Sequence, residues 1–225
     1  MKNSFKNWQK FYKEFFKNDF QKWPCEPLVR IINGNYLKYK INKKTNIKVL
    51  DVGCGFGNNL VLFNNNKNKL YGTEVTFKTA KLTQDYLKSI NIDAEILKGT
   101  NSKLPFKNNF FDILISINTI HYEKTNKDIL KSLKEYNRVL KKNGKVIIFT
   151  VGPDHDIFKK AKLYGKNLYQ IQNWDFRNGE KYFYFESRKY LEFYSRKFFK
   201  NIETGRVTEN LMKTNLDFLI LAGNK

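Results

Sequence analysis

Apolar residues fall in two rhythms along this chain. Short apolar runs occur at Ile47–Val52, Lys69–Glu74, Asp93–Lys98, Phe110–Ser116 and Val146–Phe149. Runs of that length, bounded by turn residues, predict buried parallel strands. Between them, residues 77–90 and 125–140 repeat at helical spacing. Strands alternating with helices predict an α/β fold, a doubly wound and mostly parallel sheet. A further helix is predicted near 186–198, followed by strands at about 199–208 and 215–222, which bring the sheet to seven strands. Upstream, Trp8, Phe11, Tyr12, Phe15 and Phe16 sit at helical spacing until Trp23-Pro24 interrupts them.

The first strand runs straight into Asp51-Val52-Gly53-Cys54-Gly55-Phe56-Gly57. Alternate glycines after a strand let the backbone turn tightly and let a ligand lie against it. The spacing is not that of a dinucleotide site, because the third glycine of G-x-G-x-x-G is Asn58 here. Nor does G-K-[ST] follow, so it is no P-loop. Asp51 beside the turn would repel a diphosphate and suit a cationic ligand. A plain tight turn accounts for one glycine, not for three in alternation next to an acid.

This turn resembles motif I of the class I S-adenosylmethionine-dependent methyltransferases. Several later segments resemble the small-molecule, methyltransferase type 11-like branch in order and spacing. They are Gly99-Thr100-Asn101, Leu104-Pro105-Phe106, Phe111-Asp112, Ser116 to His121-Tyr122, and Arg138-Val139-Leu140-Lys141-Lys142-Asn143-Gly144. The match covers about residues 45–151. Two positions depart from the family pattern. Thr100 stands where an Asp is usual, and Lys142-Asn143 replaces Pro-Gly in the turn before the fifth strand. Asparagine tolerates left-handed backbone, so that turn can survive.

The resemblance implies a Rossmann-like methyltransferase fold in a single domain. Residues 1–44 would form an N-terminal helical lid, 45–151 the cofactor-binding core, 152–185 a substrate cap after strand five, and 186–225 the closing helix and strand hairpin. The stretch 152–185 is also too long for a plain connection in a compact domain. The implied cofactor is S-adenosylmethionine, leaving as S-adenosylhomocysteine. Asp51, Gly53, Cys54 (through its backbone), Gly55 and Gly57 would meet its amino-acid end. Glu74, ending the second strand, would accept the ribose hydroxyls and Val75 would pack on the adenine. Thr100 and Asn101 would lie at the adenine edge, and Ser116 near the methionine group.

The acceptor side is read from residues beyond the fourth and fifth strands. His121 and His155, the chain's two histidines, are candidate general bases. Alternatively, His121 only packs near the cofactor and His155 is a solvated loop residue. Tyr12, Tyr122, Arg177 and Tyr184 are candidate acceptor contacts. Arg177 could grip a phosphate or carboxylate with both arms of its guanidinium, or could sit in a surface turn at Asn178-Gly179, a hairpin signal. Tyr182 and Tyr184 would share a face if the segment is a strand.

Composition narrows the class. At 225 residues with 41% hydrophobic content, the chain is long and apolar enough to bury a real core. No apolar run approaches a membrane span, and the first residues lack a signal core, so a cytoplasmic location is expected. Cys25 and Cys54 form neither a metal spacing nor a disulfide framework; two reduced thiols and no metal are expected. The formal net charge is +21. It would favour an anionic acceptor through steering. Codon bias from an A+T-rich genome would explain it equally, since Lys and Asn abound and arginine is confined to Arg30, Arg138, Arg177, Arg188, Arg196 and Arg206.

The expected function is methyl transfer to O or N of a small, anionic, phosphorylated or sugar-linked acceptor. The chain resembles bacterial methyltransferases of surface-polysaccharide loci, which implies capsule or surface-glycan modification. Two alternatives remain: an RNA or DNA methyltransferase, and a non-catalytic binder of adenosyl ligands. Against the first, the loop after strand four reads Ser116-Ile117-Asn118-Thr119 without the Pro-Pro of base-amine enzymes. The only Pro-Cys, Pro24-Cys25, precedes the glycine turn, and no appended RNA-binding module is visible. The intact Asp51, glycines and Glu74 argue against the second.

Overall fold

The structure, a computed structural model, describes residues 23–41 and 46–225, together with Trp8, Lys10, Phe11 and Glu14. A short helix, α1 (Glu26–Asn33), precedes the sheet. The core then alternates β1 (Lys48–Val52), β2 (Lys69–Glu74), α2 (Phe77–Ser89), β3 (Ala94–Lys98), β4 (Phe111–Ile117), α3 (Asn126–Val139) and β5 (Leu140–Val151). After the cap come α4 (Arg188–Ser195), β9 (Lys200–Leu211) and β10 (Thr214–Asn224). The seven-stranded sheet has the order β3-β2-β1-β4-β5-β10-β9. Its first five strands pair in parallel, and β10 is antiparallel to both β5 and β9. The strand order reverses between β1 and β4, so a crevice opens there at the carboxyl ends of the strands.

The continuous apolar runs of the central strands follow from burial on both faces. Val49, Ile113, Ile115, Ile147 and Phe149 enter one core. Their neighbours Leu50, Leu114, Val146 and Ile148 enter the other, beneath α3 and α4. Helix starts are set locally. Thr76 and Thr125 each accept a backbone N–H three residues on, from Thr79 and Asp128, both at 3.1 Å. Asn143, expected in a turn before the fifth strand, lies inside β5 and takes the left-handed backbone, with φ +64°. The chain after Gly57 forms one short 3-10 helix, Asn58–Phe63.

Residues 152–185 build a small antiparallel sheet of β6 (Lys162–Gly165), β7 (Leu168–Gln170) and β8 (Lys181–Phe183). The tight turn lies between β6 and β7. Asn178-Gly179 instead closes a wide loop, with Gly179 N–H donating to Ile171 O at 2.9 Å and Ile171 N–H to Glu180 O at 2.8 Å. The cap is clamped to the closing hairpin. Arg206 donates to both oxygens of the fully buried Asp217, at 2.7 and 2.9 Å, and to Asp154. Asp217 Oδ2 also accepts Asp154 N–H, and Asp156 accepts Asn215 N–H at 3.0 Å. A Cβ on Gly152 would run into the Asp217 carboxylate, so this position requires glycine for close approach.

Candidate active site

A crevice of about 1460 Å³ opens at the strand ends. Single-ligand pockets run to roughly 300–1,000 Å³, so this one has room for two small ligands side by side. One half lies over the ends of β1, β2, β3 and β4; the other is walled by the cap, Trp8 and Phe11.

The strand-end half begins at the glycine turn. Gly53 and Gly55 have φ of +64° and +59°, and both line the crevice. A Cβ on Gly53 would come within 2.5 Å of Thr119 Cγ2. The turn is tied to β2: Gly53 N–H reaches Thr73 Oγ1 at 3.3 Å, Cys54 N–H reaches Thr73 O at 3.0 Å, and Gly55 N–H reaches Glu74 Oε1 at 2.7 Å. Gly57 is not on the crevice wall, contrary to expectation. Its φ of +78° is needed for packing, since a Cβ there would strike Leu87 of α2 at 2.7 Å. The Cys54 side chain turns into the core, where its Sγ would block a Cβ on Gly72.

Asp51 lies behind the turn, off the crevice wall and 1% exposed, and neither carboxylate oxygen has a hydrogen-bond partner. Burial pushes its pKa well above the usual carboxylate range; nearby Asn59 opposes this and the Glu74 charge adds to it. Val75, Thr100 and Asn101 line the same half. Ser116 does not. It is fully buried and hydrogen-bonds Tyr136 Oη at 3.0 Å and Thr119 Oγ1 at 2.7 Å. Tyr136 Oη donates to Asn101 Oδ1 at 2.7 Å, and Asn101 Nδ2 donates to Thr119 O at 3.1 Å. This network holds Asn101 and Thr119 on the wall from below. Sequence spacing had singled out neither Tyr136 nor Asn118. Asn118 lines the crevice at φ +57° with its buried Oδ1 unpartnered.

In the cap half, His121, Tyr122, His155 and Arg177 all line the crevice. Tyr122 and Tyr182 join hydroxyls at 2.9 Å, and the His121 ring lies 4.8 and 4.3 Å from their ring centres. Burial chiefly, then the Arg177 charge and His155, lowers the His121 pKa to about 3. Burial lowers that of His155 to about 4. His155 Nδ1 accepts Ile157 N–H at 3.0 Å, so neutral His155 carries its proton on Nε2. That corrects the expectation of a general base: His155 offers an N–H donor, and both rings are far weaker bases than proton removal at neutral pH favours.

Arg177 Nη1 pairs with Asp175 at 2.6 Å while its guanidinium stacks on Phe176 at 4.3 Å. Trp8 and Phe11 reach the same place, 4.7 and 4.0 Å from the Phe176 ring, and Phe11 also meets Phe56 of the glycine turn at 6.0 Å. Tyr184 lies off the crevice wall, packing on Phe158 and Tyr169 instead, a second correction. Tyr12, the remaining expected contact, lies outside the described residues.

Residues 50–148 match the family model described as a methyltransferase domain. Sheet order, glycine crevice and this match agree: the segment is similar to a methyltransferase domain, and the sheet has the fold of solved methyltransferases. Among its relatives, protein MJ0638 of Methanocaldococcus jannaschii is 35% identical over 135 residues, 57% of this chain and 53% of its own length. The sterol 4-C-methyltransferase strm-1 of Caenorhabditis elegans is 27% identical over 139 residues, 61% of this chain and 41% of its own. The chain thus spans about half the length of the curated relatives it matches. In fold it is similar to the PH0226 protein of Pyrococcus horikoshii, with TM-score 0.65, 22% identity and coverage of 88% and 86%. It is also similar to a SAM-dependent methyltransferase of Methanosarcina mazei, with TM-score 0.66, 18% identity and coverage of 80% and 93%. Among the described residues, no helix is long and apolar enough to cross a membrane.

Proposed function

We propose that the whole chain is an S-adenosylmethionine-dependent methyltransferase that moves a methyl group to O or N of a small acceptor bearing an anionic group. The observation carrying this is the pair of buried Asp51 oxygens without a hydrogen-bond partner behind the turn of Gly53 and Gly55, which line the crevice. A ligand with an ammonium, ribose hydroxyls and an adenine fits that donor set. Asp51 and the backbone of Gly53 and Gly55 would hold its amino-acid end, Glu74 its ribose, and Val75, Thr100 and Asn101 its base.

S-adenosylmethionine, when bound, supplies an electrophilic methyl on a good leaving group. The residues have the remaining tasks of alignment and exclusion of water. Trp8 and Phe11, resting on Phe176 and Phe56, support a lid over both halves. Arg177 and the His155 Nε2–H suit a carboxylate or phosphate on the acceptor, and the +21 charge would steer such a molecule inward. A phosphorylated or sugar-linked acceptor from surface-glycan assembly is one molecule of that kind.

The test is calorimetric titration with S-adenosylmethionine, S-adenosylhomocysteine and NAD. The adenosyl pair should bind and NAD should not, and Glu74→Ala should weaken both adenosyl ligands by about tenfold or more. Binding of NAD alone, or of none of the three, overturns the reading. Labelled methyl transfer to RNA that weakens steeply with salt would instead favour a nucleic-acid acceptor.

A further inference from the structure

Glu180 has no part in the cofactor site, yet it lines the cap half of the crevice. It is only 8% exposed, and its Oε1 is buried without a hydrogen-bond partner. Its backbone is pinned on both sides, with N–H donating to Arg177 O at 2.9 Å and O accepting from Ile171 at 2.8 Å. The carboxylate is therefore placed by the fold rather than left to wander. Among the described residues no cation is paired with Glu180. Arg177 is paired with Asp175, and the Lys181 ammonium sits 3.2 Å over the Tyr164 ring. His121 and His155 are held neutral by burial. A buried carboxylate oxygen left without a hydrogen-bond donor is costly, so a ligand that brings a donor there is favoured.

The surroundings narrow the ligand's chemistry. Tyr122 and Tyr182 lie within electrostatic reach of Glu180, and Trp174 packs in the same aromatic cluster. Aromatic faces around a carboxylate attract a cation and repel an anion. Resting on the methyltransferase reading, we infer that the acceptor is a small amine whose ammonium pairs with Glu180 among the rings of Tyr122, Tyr182 and Trp174. The acceptor's anionic group, on the Arg177 and His155 side, would then make it a zwitterion. Glu180 acts here as a binding residue.

Three probes with one skeleton test this by calorimetry: phenethylamine, 2-phenylethanol and 3-phenylpropanoate. Wild-type protein should bind phenethylamine at least about tenfold more tightly than 2-phenylethanol. Glu180→Gln keeps the shape and removes the charge. It should abolish that preference and leave binding of 3-phenylpropanoate unchanged or stronger, while Glu180→Asp retains part of the preference. The thermal shift with S-adenosylmethionine should be the same in wild type and Glu180→Gln, which reports that the variant is folded. Equal binding of amine and alcohol, no saturable amine binding, or an undiminished preference in Glu180→Gln overturns the inference. A missing S-adenosylmethionine shift in wild type, with the amine preference intact, overturns the methyltransferase reading instead.

Discussion

The two halves of the crevice are made of different material. The strand-end half is mostly backbone, namely a glycine turn and the ends of β1, β2 and β3, all fixed by a sheet whose strands are buried on both faces. The cap half is mostly side chains, carried by 3-10 turns, a three-stranded sheet and two residues from near the start of the chain. Its place depends on the clamp between Asp154, Arg206 and Asp217. A site made from backbone tolerates change everywhere except at the glycines. A site made from side chains can be rewritten residue by residue while the sheet stays as it is. Under the proposed function, that contrast would put the cofactor in the first half and acceptor specificity in the second.

Paired glycine substitutions should separate the halves most sharply. Gly53→Ala places a Cβ against Thr119 at a φ of +64°. Methyl transfer should fall by roughly 100-fold or more, and the thermal shift with S-adenosylmethionine should vanish. Gly152→Ala breaks the cap clamp instead. It should lower the melting temperature and acceptor affinity while the adenosyl thermal shift persists. If the two variants behave alike, the division of labour is wrong.

Asp51→Asn comes next in size. The buried, unpartnered carboxylate destabilises the free protein, since its raised pKa means the folded state holds its charge reluctantly. Asn should therefore stabilise the free protein by ~1–3 kcal/mol while weakening S-adenosylmethionine by about tenfold. Urea denaturation and calorimetry on the same samples check both signs. A variant that is both less stable and unimpaired in binding contradicts the assignment.

The smallest effect is in pH dependence, and it belongs to the cap half. His121 and His155 are neutral in the fold down to pH values of about 3 and about 4, against 6.5 in the unfolded chain. Below pH 6.5 the unfolded chain binds more protons, so stability falls as the pH drops from 6.5 toward 4. His155→Asn keeps an acceptor for Ile157 N–H and removes one titration. Its urea midpoint should fall less steeply across that window, and an unchanged slope would place the acid sensitivity elsewhere.

The strand-end half was also the legible one. Apolar runs and glycine spacing are local properties, so β1, β2, β4 and the turn at Gly53–Gly55 could be read before any contact was known. The readings that failed needed knowledge of neighbours. Gly57 looks like its partners in the motif, yet Leu87 across the turn uses its missing Cβ. Ser116 ends a strand beside the crevice but is drawn down by Tyr136. Tyr184 follows Tyr182 by two residues, but β8 ends at Phe183 and the ring turns to Phe158. Glu180 and Asn118 carry no motif; only burial without a partner marks them.

By itself, the sequence determined the alternation of strands and helices, the glycine turn and the acids flanking it. Each depends on residues a few positions apart, where backbone preference and side-chain periodicity act directly. Tertiary structure alone decided that Ser116 is drawn down to Tyr136, that Asp217 ties the cap to the closing hairpin, and which carboxylates are buried without a partner. The first two depend on groups brought together from segments 20 and 63 residues apart, where desolvation and charge act through space rather than along the chain.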